Sequence, residues 1–344
     1  MKITVAHSTK EGLKAEYLKH FSGKEASEDF FAEGDSPETI NAVLNALREK
    51  GHEVSGIEAD DEALTKLEKN RPDIVFNVAE GLFGDFRESY MPMICERLGL
   101  PYTGSGPVEL AVCLNKARAK EILSYYSVPN ASFKVFSSAD RRELEGMKYP
   151  LIVKPVAEGS SKGVFDNSVV ENPEEAYKLV KECLKKYNQQ IIVENFLEGD
   201  EFTVAVWGNG DEIEVLPIVS INYDDLPETA HKIYSYEAKW IWDTPENPLD
   251  IFKCPADISS STKKGIEETV KKTYRVLGIR DWCRIDVRLD AKGVPHIIEL
   301  NPLPGILPKP EDNSCFPKAA RTAGYSYGEM LNKIISIASR RYGI

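Results

Sequence analysis

The chain has 344 residues, 42% hydrophobic and 28% charged, an ordinary balance for a soluble globular protein of two or three domains. Its 43 Lys and Arg stand against 55 Asp and Glu, a formal net charge of −12, which argues against a nucleic-acid partner and leaves room only for a local basic pocket around a small phosphorylated ligand. No run approaches the roughly 18 apolar residues that span a bilayer.

The start, MKITVAHS, reads as a strand and not as a signal peptide, because its apolar stretch is short and a charged helix follows. DSPETINAVLNALREKG (35–51) predicts a helix with Ser36 as N-cap, Pro37 in the first turn and Gly51 as the stop. HEVSGIEA is then a strand, DEALTKLEKN a helix, DIVFNVAEG a strand, ESYMPMICERLGL a helix and PYTGSG a short strand. Strand–helix alternation implies a parallel sheet covered on both faces. Ligands bind beyond the carboxyl ends of such strands, which points to 8–11, 58–61 and 77–87.

NKARAKEILSYYSV (115–128) is a long helix, and after it the rhythm changes. YPLIVKPV is a strand, AEGSSKG a glycine–serine loop and VFDNSVV a strand. NPEEAYKLVKECLKKYN is a helix with Asn172 as N-cap and Glu175 completing a capping box. QIIVENFLEGDEFTVAVWG reads as strand, bend, strand, and EIEVLPIVSI as a further strand region. The polar segment 222–254 lacks a clear period and is long enough to act as a lid. A helix (259–278), a hairpin WCRIDVRLD–AKG–VPHIIELNP and helices after 318 close the chain. The six cysteines are scattered without a C-x-x-C pair, as expected of buried reduced thiols in a cytoplasmic protein.

The hairpin carries charge. If its turn sets Leu289 opposite Val294, Arg284 falls opposite Glu299 and Asp286 opposite Ile297. Arg284, Asp286, Glu299 and Asn301 then share one face. Two carboxylates and an amide oxygen suit Mg2+, and the guanidinium suits a phosphoryl group or an oxyanion. The plain alternative is a solvated sheet face with an Arg–Glu cross-strand pair. Lys154 ends an apolar strand, and the loop after it would let backbone N–H groups approach a phosphate. That loop is not a Walker A loop, and no G-x-G-x-x-G occurs. It does match G-x-S-x-G, but a hydrolase elbow needs a helix after the serine and a strand is expected here. Glu194 and Glu201 flank a bend that could take an adenine edge and ribose hydroxyls, or form a plain acidic hairpin.

In this order, NK opening a helix, YPLIVKPVAEGSSKG, IIVENFLEGDEFTV, YSYEAKW, CRIDVRLD and IIELNPLPG resemble the ATP-grasp carboxylate–amine ligases, and among them the D-alanine–D-alanine ligase family. LGLPYTGSG fits the same family, and the resemblance runs over about 73–328. It implies an α/β (α+β) ATP-grasp fold of three subdomains: an N-terminal parallel-sheet unit (1–112), a small central α+β unit (113–197) and a C-terminal antiparallel unit (198–344). ATP would lie between two sheets. Lys116 and Lys154 would contact phosphates, with Ser160 and Ser161 in the loop above them. Glu194, Asn195 and Leu197 would meet adenine, Glu201 the ribose, and Lys239 would come from the lid. Asp286, Glu299 and Asn301 would bind two Mg2+ ions, or Mn2+ in their place. Arg284 and the Gly305 N–H would stabilise a tetrahedral intermediate.

The resemblance also implies small carboxylate and amine substrates joined through an acyl phosphate, and by analogy a homodimer through the N-terminal unit. It weakens at the substrate end. The serine that follows the metal motif in the family is matched here by Pro310, with Lys309 beside it and Ser314 further along. The N-terminal stretch 20–39 is longer and more acidic than the family's glycine-rich turn, and NVAEGLFGDFRES replaces a histidine–glycine loop. Glu11, Glu80, Arg87 and Lys309 are the candidate substrate contacts. A ligase whose substrates need not be D-alanine is expected. The alternatives are a D-alanine–D-alanine ligase proper and an ATP-binding protein without ligase activity.

Overall fold

The computed structural model describes residues 1–21, 30–243 and 249–344. The middle of the acidic N-terminal stretch and one part of the expected lid lie outside the described residues.

The N-terminal elements are β1 (Lys2–His7), α1 (Lys10–His20), α2 (Pro37–Glu49), β2 (Glu53–Glu58), α3 (Ala63–Lys69), β3 (Ile74–Asn77) and α4 (Tyr90–Leu98). The strands form a parallel sheet ordered β2-β1-β3. Ser36 caps α2 as expected, accepting the Thr39 N–H at 3.2 Å, a contact worth about 1 kcal/mol. The stretch PYTGSG contributes one parallel bridge, Val75 to Tyr102, and not a full strand.

Two helices then meet at Asn115: α5 (Pro107–Leu114), which the sequence reading passed over, and α6 (Lys116–Tyr125). The central sheet is antiparallel and contains β4 (Phe133–Phe136), β5 (Leu151–Pro155), β6 (Val169–Val170) and, after α7 (Pro173–Tyr187), β7 (Ile191–Asn195), in the order β4-β7-β5-β6. The expected strand VFDNSVV is largely a 3-10 turn, with only Val169–Val170 in the ladder. Asn172 caps α7, but Glu175 reaches back to the Glu171 N–H, so the capping box is displaced by one residue.

The C-terminal sheet holds β8 (Glu201–Trp207), β9 (Glu214–Val215), β10 (Val219–Ile221), β11 (Phe252–Lys253), then α8 (Ser260–Val276), β12 (Trp282–Leu289) and β13 (Pro295–Asn301). Its order is β11-β10-β8-β12-β13, with β9 paired to β8. Phe202, Val204 and Val206 join Ile285 and Val287 in packing on Ile266 and Val270 of α8. The alternate residues, Glu201, Thr203, Asp286 and Glu299, therefore face away from that core. The helices α9 (Cys315–Thr322) and α10 (Tyr327–Tyr342) finish the chain. Met330, Leu331 and Ile334 of α10 share one core with Ile3, Val43 and Leu47, so the last helix covers the N-terminal sheet.

The strands of the three sheets lie within 2–77, 133–195 and 201–301. All six cysteines are free, and five of them are buried. Among the described residues no helix is long and apolar enough to cross a membrane.

Candidate active site

A cavity of about 430 Å3 opens where the three sheets converge, and a chamber of about 130 Å3 adjoins it, sharing Lys116, Ser161, Glu201 and Glu299. The smaller chamber lies between the two antiparallel sheets: Ile152, Lys154 and Glu194 line it from one, Glu201, Arg288 and Glu299 from the other.

The β12–β13 hairpin supplies its floor. The turn places Leu289 opposite Pro295, not Val294, and the ladder slips again between Asp286 and Val287, where Ile298 is the extra residue. Arg284 therefore pairs with Asn301 and Asp286 with Glu299, in place of the expected Arg284–Glu299 and Asp286–Ile297 pairs. Two one-residue shifts restore the alternation, so the four polar residues still share a face. Ile297 instead joins the core beside Val287, and Ile298 lines the cavity. Pro302 has no N–H to donate, so the ladder ends at Asn301.

Asp286 accepts from Arg284 Nε and Nη2 (3.1 and 3.0 Å), from Thr203 Oγ1 (2.6 Å) and from Asn301 Nδ2 (3.1 Å). Glu299 Oε1 lies 2.6 Å from Lys116 Nζ. Burial alone would raise the Glu299 carboxyl, but Lys116 and Lys154 hold it below its ordinary range. Burial would likewise discharge Arg284, yet the Asp286 carboxylate keeps its pKa above the usual value. Among the described residues no group of three or more His, Cys, Asp or Glu is set to hold a metal ion. Two carboxylates and an amide leave most of a coordination shell to other ligands. That donor set fits Mg2+, which completes its shell with phosphate oxygens and water.

Lys116 is the first residue of α6, where the helix dipole also favours an anion. Lys154 is 4% exposed and sits 3.3 Å from Glu194. Lys120, one turn after Lys116 and missed from the sequence, lies 3.4 Å from the same carboxylate and donates to the Ile297 carbonyl at 3.2 Å. Burial lowers Lys120 to about 8. The i, i+4 spacing from Lys116 was the available signal. Burial would raise Glu194, but its two lysines hold it down. Its Oε1 is buried without a hydrogen-bond partner. Asn195 and Leu197 also line this chamber, although the Asn195 amide is turned to the Lys148 carbonyl. Glu201 is fixed by Arg288 at 2.9 Å and by the Tyr223 hydroxyl at 2.8 Å.

The loop 157–163 closes over Lys116. Ser160 and Ser161 both have positive φ, 51° and 60°, a strained geometry that accumulates at functional loops. Ser161 donates to the Tyr234 carbonyl at 2.9 Å and so ties the loop to the expected lid. Within that lid, Ala238–Trp242 form a short π-helix, and burial beside Arg284 lowers Lys239 to about 8. No helix follows Ser161 and no histidine lines the cavity, so the hydrolase pattern finds no context.

Glu33 joins this loop to the N-terminal sheet. It accepts the Gly159 N–H at 3.1 Å and lies 3.5 Å from Arg87 and 4.0 Å from Lys162. A Cβ on Gly159 would meet Glu33 Oε1 at 2.4 Å, so only glycine admits the contact. Arg87 also donates to the Ala157 carbonyl at 3.0 Å, which makes it a loop anchor. Glu80 lines the cavity. Glu11 is exposed on α1 and Lys309 is exposed beyond the metal loop, and neither lines it. Glu33, which no local motif marks, takes the inward position looked for at Glu11. Ser314 is far along the chain yet folds back: its hydroxyl donates to the Gly305 carbonyl at 2.9 Å and accepts the Leu307 N–H at 3.2 Å. The residues between make an excursion that hid this contact in the sequence.

Comparison with known proteins agrees with this geometry. The family described as D-ala D-ala ligase C-terminus matches residues 122–336. The chain is 33% identical over 303 residues to the D-alanine–D-alanine ligase of Haemophilus influenzae, covering 86% of this chain and 94% of that one. It is 34% identical over 310 residues to a Sinorhizobium fredii protein named only as uncharacterized protein y4sG, covering 88% of each. Two crystal structures of D-alanine–D-alanine ligase from Bacillus anthracis, one complexed with ATP, superpose with TM-scores of 0.74 and 0.75 over 100% of this chain and 99% of theirs, at 20% and 23% identity. The chain therefore belongs to the D-alanine–D-alanine ligase family of ATP-dependent ligases that form C–N bonds, built on the ATP-grasp fold.

Proposed function

We propose that the chain joins a small carboxylic acid to an amine through an acyl phosphate, using ATP, with three working units at 1–112, 113–197 and 198–344. The observation that carries this reading is the single face holding Arg284, Asp286, Glu299 and Asn301, with Lys116 closing on Glu299 at 2.6 Å. An ATP-binding protein without chemistry has no need of all five.

ATP would supply the phosphoryl group, and Asp286, Glu299 and Asn301 would hold Mg2+, which would offset the charge of the phosphates. The adenosine end of the nucleotide would enter the chamber between the sheets, lined by Glu194, Asn195, Leu197 and Glu201. The unpartnered Glu194 Oε1 faces a missing donor there, such as an adenine amino group, while Glu201 is held in place for the ribose. Lys116 and Lys154 bind phosphate oxygens. Lys239, in the π-helix of the lid, adds charge above them. Ser160 and Ser161 hold the loop shut, which keeps water from the activated acid. Arg284 and the Gly305 N–H, presented by the stiff 302–305 loop, face the oxyanion formed when the amine attacks. Phosphate then leaves and the amide remains. Six free thiols accord with a reducing cytoplasm.

D-alanine as both substrates is the second reading, supported by the names of the relatives. The acidic N-terminal wall favours a different acid. The test is ADP and phosphate release from Mg-ATP across a panel of amino acids, offered as acid and as amine. The reading predicts turnover that requires both. Turnover that needs no amine, or none with any pair, would overturn it.

A further inference from the structure

Two carboxylates of the cavity wall have no hydrogen-bond or ion-pair partner among the described residues. Glu80 lies just beyond β3, and Glu88 just before α4. Glu88 is 8% exposed and lines the cavity, as does Glu80. Neither carboxylate makes a hydrogen bond or an ion pair among the described residues. A buried group left in this way needs an explanation, since an uncompensated carboxylate costs several kcal/mol.

The neighbouring cations are committed elsewhere. Arg87 is paired with Glu33 and bound to the Ala157 carbonyl. Lys162 sits 2.7 Å from Glu158 and 4.0 Å from Glu33. Among the described residues these two cations are thus paired with Glu33 and Glu158, and neither forms an ion pair with Glu80 or Glu88. Burial raises Glu88 to about 7 and, together with Glu88 itself, lifts Glu80 well above its ordinary range. Organic ammonium groups need only single carboxylates. The far end of the cavity carries Lys116, Lys239 and Arg284 along its lining, with Lys116 held by Glu299 and Arg284 by Asp286. A substrate carboxylate is drawn to that end and its ammonium groups to the other.

We propose that this wall selects, as the acid to be activated, an amino acid bearing a second ammonium group, with Glu80 and Glu88 as its specificity-determining residues. The inference rests on the ligase reading and deepens it.

The test traps the activated acid with hydroxylamine, so that the natural amine need not be known. Mg-ATP, hydroxylamine and single amino acids are mixed, and hydroxamate and ADP are measured. Lysine, ornithine and 2,4-diaminobutyrate, each as both enantiomers, are compared with norleucine and alanine. The expected kcat/KM for the best diamino acid exceeds that of its neutral isostere by at least 100-fold. Glu80→Gln and Glu88→Gln should each reduce that ratio at least tenfold, mainly through KM. Equal rates with neutral amino acids, or a ratio that the variants do not move, would overturn the proposal and leave the ligase reading intact. If no acid gives hydroxamate or ADP, the ligase reading fails. Calorimetric binding of lysine, ornithine and 2,4-diaminobutyrate against norleucine, with Mg-ADP present, then decides the proposal alone: preference for the dication supports it, and equal binding overturns it. Thermal unfolding without substrate guards against a folding artefact. Each Gln variant should melt no lower than the parent at pH 8, whereas a Glu with a structural role would melt lower when replaced.

Discussion

The two ends of the cavity differ in how their charges are balanced. At the sheet end, Lys116, Lys120, Lys154, Arg284 and Arg288 each lie within 3.4 Å of a carboxylate. At the N-terminal end, Glu80 and Glu88 have no such partner among the described residues. A matched set is held in fixed geometry before any ligand arrives, which suits a phosphoryl transfer common to many substrates. An unmatched set depends on the substrate for its missing charge, and so reads the substrate. In the proposed function, chemistry and selectivity would thus sit on different elements, the one on antiparallel strands and the other on loops of a parallel sheet.

The comparison can be broken first at the sheet end. Glu299→Gln should reduce kcat by on the order of 1,000-fold while the melting temperature stays within a few degrees. Unchanged turnover would remove Glu299 from the metal site. Next, Lys120→Met leaves Glu194 with one cation in a buried setting, and should cost about 3 kcal/mol in urea unfolding. A neutral result would mean that the buried pairs are not what fixes this end.

The N-terminal end responds to pH. The Glu88 carboxyl is raised to about 7 in the folded chain from an ordinary 4.5. Between those values the folded state binds more protons than the unfolded one. Stability from this group is thus full below about pH 4.5 and lost as pH rises towards 7. Glu88→Gln should match the parent at pH 4.5 and melt a few degrees higher at pH 8. Arg87, Glu33, Lys116 and Glu299 also bear on this carboxyl, and Arg87 is the main cation that lowers it, so the gain should grow in Arg87→Met, where Glu80 and Glu33 are disturbed as well. The smallest effect is expected at the junction of loop and lid. Ser161→Ala removes the hydrogen bond to Tyr234 and should lower kcat up to about tenfold, with more ATP hydrolysed without product.

Much of the sheet end was legible in the sequence because strand alternation survives small errors. The assumed hairpin register was wrong at every pair, yet Arg284, Asp286, Glu299 and Asn301 still came to one face, since the turn and the bulge each shift by one residue. Lys120 was missed because a helical lysine looks solvated until its helix is placed against β13. The N-terminal end was barely legible. Glu33 belongs to no motif, and its meaning comes from Gly159 and Arg87, distant in sequence. Ser314 was set aside on chain distance alone, although it bonds to the Gly305 carbonyl. The packing of α10 on the N-terminal sheet has no local signal either; its apolar stripe says only that it covers something.

The central claim is that the acid is activated by phosphoryl transfer at the Arg284–Glu299 face. Isotope transfer tests it most directly. Amino acids labelled with 18O in the carboxylate are turned over with Mg-ATP and hydroxylamine, and the phosphate is analysed by mass spectrometry. One labelled oxygen in inorganic phosphate, formed together with ADP, is the predicted result. Label in AMP, or phosphate released without label, would contradict the account.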